Sequence, residues 1–400
     1  MNKKTSKLIL GLLLLLFSCA TNNPDSFDVD AEIDYCHKKV MTTLMEIGED
    51  YTQIPRDIQH GETMWKKAPN TIHEWCSGFW PGILWYDYAL TGDTVVRIAA
   101  ENWTEALGNT ITDSLFDHDL GIMMTTSYLN GMRFGEKGEK YKTIPLIAAD
   151  SLCTLYNPNV GTILSWPRHV LDYKGHNTVI SNMINLELLL WADTVKTETY
   201  PHPHHNYLAI AESHADTTME YQFRTDYSCY YIAVYDPVTG NHLYNRTHQG
   251  AVDESVWARG QSWAIYGYTT MYKYTHEQRY LDFAQKVTDV YLAQLPSDMI
   301  PYWDLHQTDY RDASAASVVA SALIDLSEMV DKEKGKQYFE AAIQMMKTLS
   351  DSPYRSGNIN SAFLLHTVGN IATGNNIDGS IIYADYYYLE ALYKLKNRKK

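Results

Sequence analysis

The chain reads as an all-α protein, six helical hairpins closed into an (α/α)6 barrel. Two observations predict this. About twelve helical segments follow one another with little that alternates like a strand, and those segments are of two kinds. Tyr280, Phe283, Ala284, Val287 and Tyr291 share one face with charges opposite, as do Tyr338, Ala341, Ala342, Met345 and Leu349, so these helices keep one wet side. Val179 to Trp191 is apolar nearly all round, and Ala313 to Leu326 is small and apolar on most faces, the pattern of helices buried on both sides. Alternating outer and inner helices give a ring inside a ring, with its loops and its site at one end of the inner ring. An open superhelix of helical pairs is the competing architecture, but no fixed repeat supports it.

The helical segments are expected near 30–48, 78–91, 94–109, 119–134, 137–156, 178–192, 205–219, 255–274, 277–294, 312–329, 333–350 and 381–396. No Pro/Gly/Ser linker divides them, so residues 28–397 form a single domain. Two connections are long enough to carry function. Asn157 to His176 holds Trp166 and Arg168. Tyr221 to Glu254 holds the one credible strand pair, Tyr230 to Tyr235 and His242 to Thr247, about the turn Asp236-Pro237-Val238-Thr239-Gly240.

The amino terminus carries an address. Lys3, Lys4 and Lys7 precede the run Leu8 to Leu16, which is too short to span a bilayer, so residues 1–19 read as a cleaved export signal. Cys19 at the cleavage site resembles a bacterial lipobox, which implies that it becomes a lipid-bearing first residue. Residues 20–27 then form a polar tether. The expected product is an exported bacterial lipoprotein, periplasmic or at the cell surface, touching membrane only through that anchor. Cys36, Cys76, Cys153 and Cys229 are scattered and lack metal-type spacing, which argues against a disulfide framework. A formal charge of −15 argues against nucleic acid or anionic lipid as partner. An anionic ligand would need a locally positive site.

The stretch Phe116-Asp117-His118-Asp119-Leu120-Gly121 sets a carboxylate beside a histidine ahead of an apolar helix, as suits a proton-transfer group at a cavity mouth. Thr247-His248-Gln249-Gly250, followed by Asp253 and Trp257 to Trp263, supplies a cation, amides and flat aromatic faces, the groups that grip a sugar acid. Trp75, Phe79, Trp80 and Trp85 exceed what one helix face can bury, so some of them line a cavity. His202-Pro203-His204-His205 reads as a solvated loop, and Asp113, Asp117 and Asp119 lack the later positions of a calcium loop. No metal and no cofactor is expected.

Taken together, Trp75 to Trp85, His118 to Gly121, Asn182-Met183-Ile184-Asn185-Leu186, Thr247 to Trp263, Arg311 to Ala316 and Tyr383 to Leu392 resemble the unsaturated glucuronyl hydrolases, glycoside hydrolase family 88. The resemblance implies an (α/α)6 barrel that acts on acidic oligosaccharides left by polysaccharide lyases, by protonating and hydrating a 4,5 double bond. It implies two catalytic aspartates: Asp119 matches the first, and Ser181 stands where the second belongs. Tyr231 stands where the family usually has a histidine. The resemblance also assigns the substrate wall to Trp75, Phe79, His118, Trp166, His214, Tyr231, Gln249, Trp257, Arg259 and Trp263. In that scheme Asp119 is the principal acid and base, Arg259 and His214 pair with the substrate's polar or charged groups, and Trp75, Phe79 and Trp263 stack on rings. With Ser181 in place of a carboxylic acid, the alternative is a sugar-binding protein on the same scaffold.

Overall fold

The computed structural model describes residues 27–195 and 205–398; the signal segment, Cys19 and His202 to His204 lie outside them. The helices run α1 Val29–Ile47, α2 Phe79–Thr91, α3 Thr94–Gly108, α4 Leu120–Met124, α5 Asn130–Phe134, α6 Thr143–Cys153, α7 Val170–Tyr173, α8 Leu186–Val195, α9 Tyr207–Tyr221, α10 Ala258–Thr275, α11 Gln278–Ala293, α12 Ala313–Leu326, α13 Lys332–Leu349 and α14 Ile382–Asn397. Several start on a side-chain cap: Asp28, Asp93, Asn206, Asp312 and Asp331 each accept a first-turn backbone N–H.

Contacts between helices close the inner ring. α2 packs on α5, α4 on α8, α8 on α10, α10 on α12, α12 on α14, and α14 returns to α2. The outer helices lie against it, α1 on α14 and α2, α3 on α2, α6 on α4, α9 on α8, α11 on α10 and α13 on α12. This is the expected (α/α)6 barrel. Cys36, Cys76, Cys153 and Cys229 are free and buried. Among the described residues no helix is long and apolar enough to cross a membrane.

Three local expectations need correction. Residues 178–192 do not form one helix. His176–Val179 is a strand, Ile180–Asn185 a tight 3-10 turn, and α8 starts only at Leu186. All four residues His176–Val179 are buried, a pattern that fits a strand as well as a helix, and here the neighbouring strand Ile232–Tyr235 decides. The inner rod 119–134 is interrupted by a π turn at Thr125–Leu129. Thr126 and Ser127 donate their hydroxyls to the carbonyls of Ile122 and Met123 at 2.7 and 2.5 Å, competing with the regular backbone ladder. Strands are also more numerous than the sequence pattern suggests. Labelled in chain order, they are β1 Gln53–Ile58, β2 Lys66–Pro69, β3 Tyr156–Asn157, β4 Thr162–Ile163, β5 His176–Val179, β6 Ile232–Tyr235, β7 His242–Arg246 and β8 Ser380–Ile381. They form the sheets β2-β1-β8, β3-β4 and β5-β6-β7, and the expected β6-β7 pair is one edge of the last.

Candidate active site

The inner helices begin at one end of the ring, and that end encloses a cavity of about 180 Å³. Trp75 precedes α2, Asp119 caps α4, Ser181 and Ile184 lie in the turn before α8, and Trp257, Arg259 and Trp263 open α10. His118, Trp166, Arg168, Tyr231, His248 and Gln249 complete the lining. Helix N-termini carry partial positive charge, so this end suits an anion within an otherwise acidic protein.

Two glycines set the spacing. A Cβ on Gly121 would come within 2.5 Å of the Asn185 carbonyl, and one on Gly267 within 2.5 Å of the Met183 side chain. The 180–185 turn is therefore clamped between α4 and α10 at distances that only glycine allows. Asn185 completes the clamp by accepting the Ile122 N–H at 2.6 Å. This holds Ser181 and Asp119 against one cavity.

Asp119 is largely enclosed, its side chain 14% exposed, beside His118, whose Nε2 lies 3.3 Å from Asp119 Oδ1. His118 Nδ1 donates to the Ser165 carbonyl at 2.9 Å, and a carbonyl only accepts, so that nitrogen carries a hydrogen. Its other ring nitrogen, Nε2, faces the Asp119 carboxyl, within reach of a proton exchanged between the two groups. Burial pushes the Asp119 carboxyl up to about 6. Asp117 adds to that push, while His118, Arg168 and a hydrogen bond from Asn185 oppose it.

The loop behind this pair is stapled by amides. Asn177 accepts the Trp166 N–H and donates to the Trp166 carbonyl at 2.9 and 3.1 Å, and Asn182 donates to Ile163 and Ser165, both at 3.1 Å. Trp166 is thereby held edge-on to Tyr231, with centroids 6.0 Å apart, and 5.1 Å from His248. Burial holds the Tyr231 phenol well above its usual pKa, so it stays protonated, and it accepts from Gln249 at 3.2 Å. Trp75 lies 4.9 Å from Tyr383. The Ser181 hydroxyl has no hydrogen-bond partner among the described residues; it borders the cavity and does not cap α8.

Three sequence-derived assignments move. Phe79 is fully buried behind Trp75, edge-on at 5.6 Å, and does not reach the cavity; it backs the platform. His214 lies off the cavity lining. Its Nδ1 accepts the Ile163 N–H at 3.0 Å and burial drives its pKa down to about 3, so it is neutral and offers no charge to an anion. Arg259 borders the cavity, yet its terminal nitrogens serve the fold. NH1 pairs with Asp312 at 2.8 Å and donates to the Val368 carbonyl, and NH2 donates to Gln249 and to the Gly369 carbonyl at 2.9 and 2.7 Å. The side chains missing from the assigned wall are Arg168, Ile184 and His248. Arg168 and His248 stood in the flagged loops beside Trp166 and Gln249, and that proximity was the available signal. Asp117, His118 and Asp119 each bring one ligand atom within 4.8 Å of the others, but the cation beside them is the Arg168 guanidinium, paired with Asp117.

No family profile matches the chain. Over 98% of its length it is 35% identical to an unsaturated glucuronyl hydrolase of Formosa agariphila, covering 97% of that protein. The chain belongs to the unsaturated glucuronyl hydrolases, glycoside hydrolase family 88. Solved members share the fold. The crystal structure of an unsaturated glucuronyl hydrolase specific for heparin superimposes with a TM-score of 0.81 at 36% identity, over 91% of this chain and 97% of that one. A mutant of the Streptococcus agalactiae enzyme complexed with dGlcA-GalNAc6S gives 0.76 at 28% identity, over 95% and 96%. As a member of this family, the chain is a glycosidase of unsaturated uronyl sugars.

Proposed function

We propose that this hydrolase works with Asp119 as its principal proton-transfer group, without a second catalytic carboxylate at position 181. The Asp119 carboxyl gives its proton to C4 of the unsaturated uronate, and the C4=C5 electrons leave an oxocarbenium-like centre at C5. Water adds at C5 and returns a proton to the Asp119 carboxylate. The resulting hemiketal opens at the C5–O5 bond to a C5 ketone and a C1 hemiacetal, which collapses to the C1 aldehyde as the C1–O bond to the neighbouring sugar breaks and that sugar departs as the free alcohol. His118 shares the proton during this cycle, and Tyr231 offers an O–H to the ring substituents. Trp75, Trp257 and Trp263 supply flat faces for the sugar.

The observation that carries the reading is the largely enclosed Asp119 carboxyl, raised to about 6 and set 3.3 Å from His118 Nε2 in an aromatic cavity. A group poised near neutrality can both give and take a proton. Incubation with lyase-made unsaturated disaccharides, followed by loss of the alkene's ultraviolet absorbance, tests it directly. Ser181 favours a second reading, a sugar-binding protein, and that reading requires saturable binding with no loss of the alkene. Export and lipidation at Cys19 fit an enzyme meeting extracellular glycan fragments; mass spectrometry of the mature amino terminus would find an acylated cysteine there.

A further inference from the structure

Arg168 stands where two cavities meet. It lies in the turn Pro167–His169, and with Trp75 and Asp119 it borders both the inner cavity of about 180 Å³ and an outer one of about 600 Å³. The inner cavity holds the proton-transfer group, so the outer one is the space next to the reacting ring. The other guanidinium groups around these spaces are committed. Arg56 pairs with Asp57 and Glu74 at 2.9 and 3.2 Å, and Arg259 is bound into the fold. Arg168 differs. Its side chain is 58% exposed and, among the described residues, its guanidinium makes one ion pair, NH1 to Asp117 Oδ2. A guanidinium has five N–H donors in a planar fork, so an edge remains for a second oxyanion.

We propose that Arg168 determines specificity for the leaving unit. Its free edge takes a sulfate or carboxylate carried by the sugar next to the unsaturated uronate, while Asp117 holds the fork in place. Asp117 Oδ1 also accepts the Asp119 backbone N–H at 3.1 Å, so the carboxylate that aims Arg168 also fixes the chain at the proton-transfer residue. The indole of Trp166 lies 5.8 Å from the guanidinium and limits where it can swing. The assignment of the outer cavity to the leaving unit rests on the function proposed above.

The experiment compares unsaturated uronyl N-acetylgalactosamine in unsulfated and 6-O-sulfated form, measuring both Kd and kcat/KM for the wild type, Arg168→Gln and Arg168→Lys. In Arg168→Gln the sulfated-to-unsulfated ratio of kcat/KM should fall about tenfold and that of Kd should rise about tenfold, as for one lost charge-assisted contact. Both ratios for Arg168→Lys should lie between those of the wild type and Arg168→Gln, since it keeps the charge and loses the fork. An unchanged ratio, or an equal loss on both sugars, overturns the proposal. If the wild type binds both sugars but hydrolyses neither, the enzymatic reading fails while the ratio of Kd values still decides Arg168. Wild-type protein that binds neither overturns both.

Discussion

The two ends of the inner ring are built from the same helices and handle buried carboxylates in opposite ways. At the far end α2, α5, α8, α10, α12 and α14 enclose a cavity of about 430 Å³ lined by Tyr86, Arg133, Glu187, Tyr266, Lys273, Asp325, Glu390 and Lys394. There Lys394 reaches Asp325 and Glu390 at 3.0 and 3.4 Å, Lys273 reaches Asp325 at 3.3 Å, and Tyr86 and Tyr266 donate to Glu390 at 3.0 and 3.1 Å. Burial pushes the Asp325 carboxyl up, but the two lysines outweigh it and hold it below the usual range. At the site end Asp119 faces a histidine, and burial wins. A carboxylate locked by lysine stays an anion and is structural. One paired with an imidazole can carry a proton, and the chemistry resides there. Glu187, raised by burial and hydrogen-bonded by Tyr274 at 3.4 Å, is the far end's exception.

The contrast can be broken most sharply at Asp119. Asp119→Asn should lower kcat by about 10²- to 10⁴-fold while the variant still binds sugar, whereas Glu187→Gln at the far end should leave kcat/KM at the wild-type value. Steady-state kinetics beside calorimetric binding decides this; full activity in Asp119→Asn would remove it from the mechanism. The converse holds for Lys394→Met, which leaves Asp325 and Glu390 without their shared cation. It should cost about 3 kcal/mol in urea unfolding, with turnover per folded molecule unchanged.

A third change sharpens the site end. Ser181→Asp puts a carboxyl on the cavity wall that Asp119 already borders, and should raise kcat/KM by about tenfold or more, a gain that Asp119→Asn abolishes. A variant that binds unsaturated disaccharides and stays no faster than wild type would show that position 181 no longer serves this chemistry.

The smallest effect is on pH. A general acid must be protonated, so kcat should fall as pH rises through about 6, the value to which burial and Asp117 raise Asp119 against His118, Arg168 and Asn185. Stability follows with opposite signs at the two ends. The raised Asp119 makes the folded state hold its proton more tightly, so its cost is relieved as pH falls from above 6 toward the usual carboxylate range. Asp325, held low, contributes stability above its unfolded value and loses it as pH falls through its folded pKa. Urea midpoints from pH 7 to 5 should therefore rise less on acidification, or fall more, in Asp119→Asn than in the wild type; parallel curves would contradict this.

The double ring was legible in the chain because helical burial is written locally. Tyr280 to Tyr291 shows a wet face and Ala313 to Leu326 shows none, and three- and four-residue spacing is enough to say which ring each helix joins. The His118-Asp119 pair was legible for the same reason, being adjacent in sequence. The strand at His176–Val179 was not, since so short a buried stretch takes its form from the β6 strand that pairs with it.

The amino-acid sequence by itself thus determined the helices, their order as outer and inner, and the aromatic and acidic residues gathered at one end. Only the tertiary structure decided where polar side chains spend their hydrogen bonds. Arg259 looks like a substrate cation until Asp312, Val368 and Gly369, separated from it by 53, 109 and 110 residues, take its donors. His214 turns into the protein to accept from Ile163, 51 residues away, and Arg168 is left with an open edge at the cavity junction. Helix periodicity is set by neighbours three and four residues along the chain. The partner of a guanidinium or an imidazole comes from any segment the fold brings beside it.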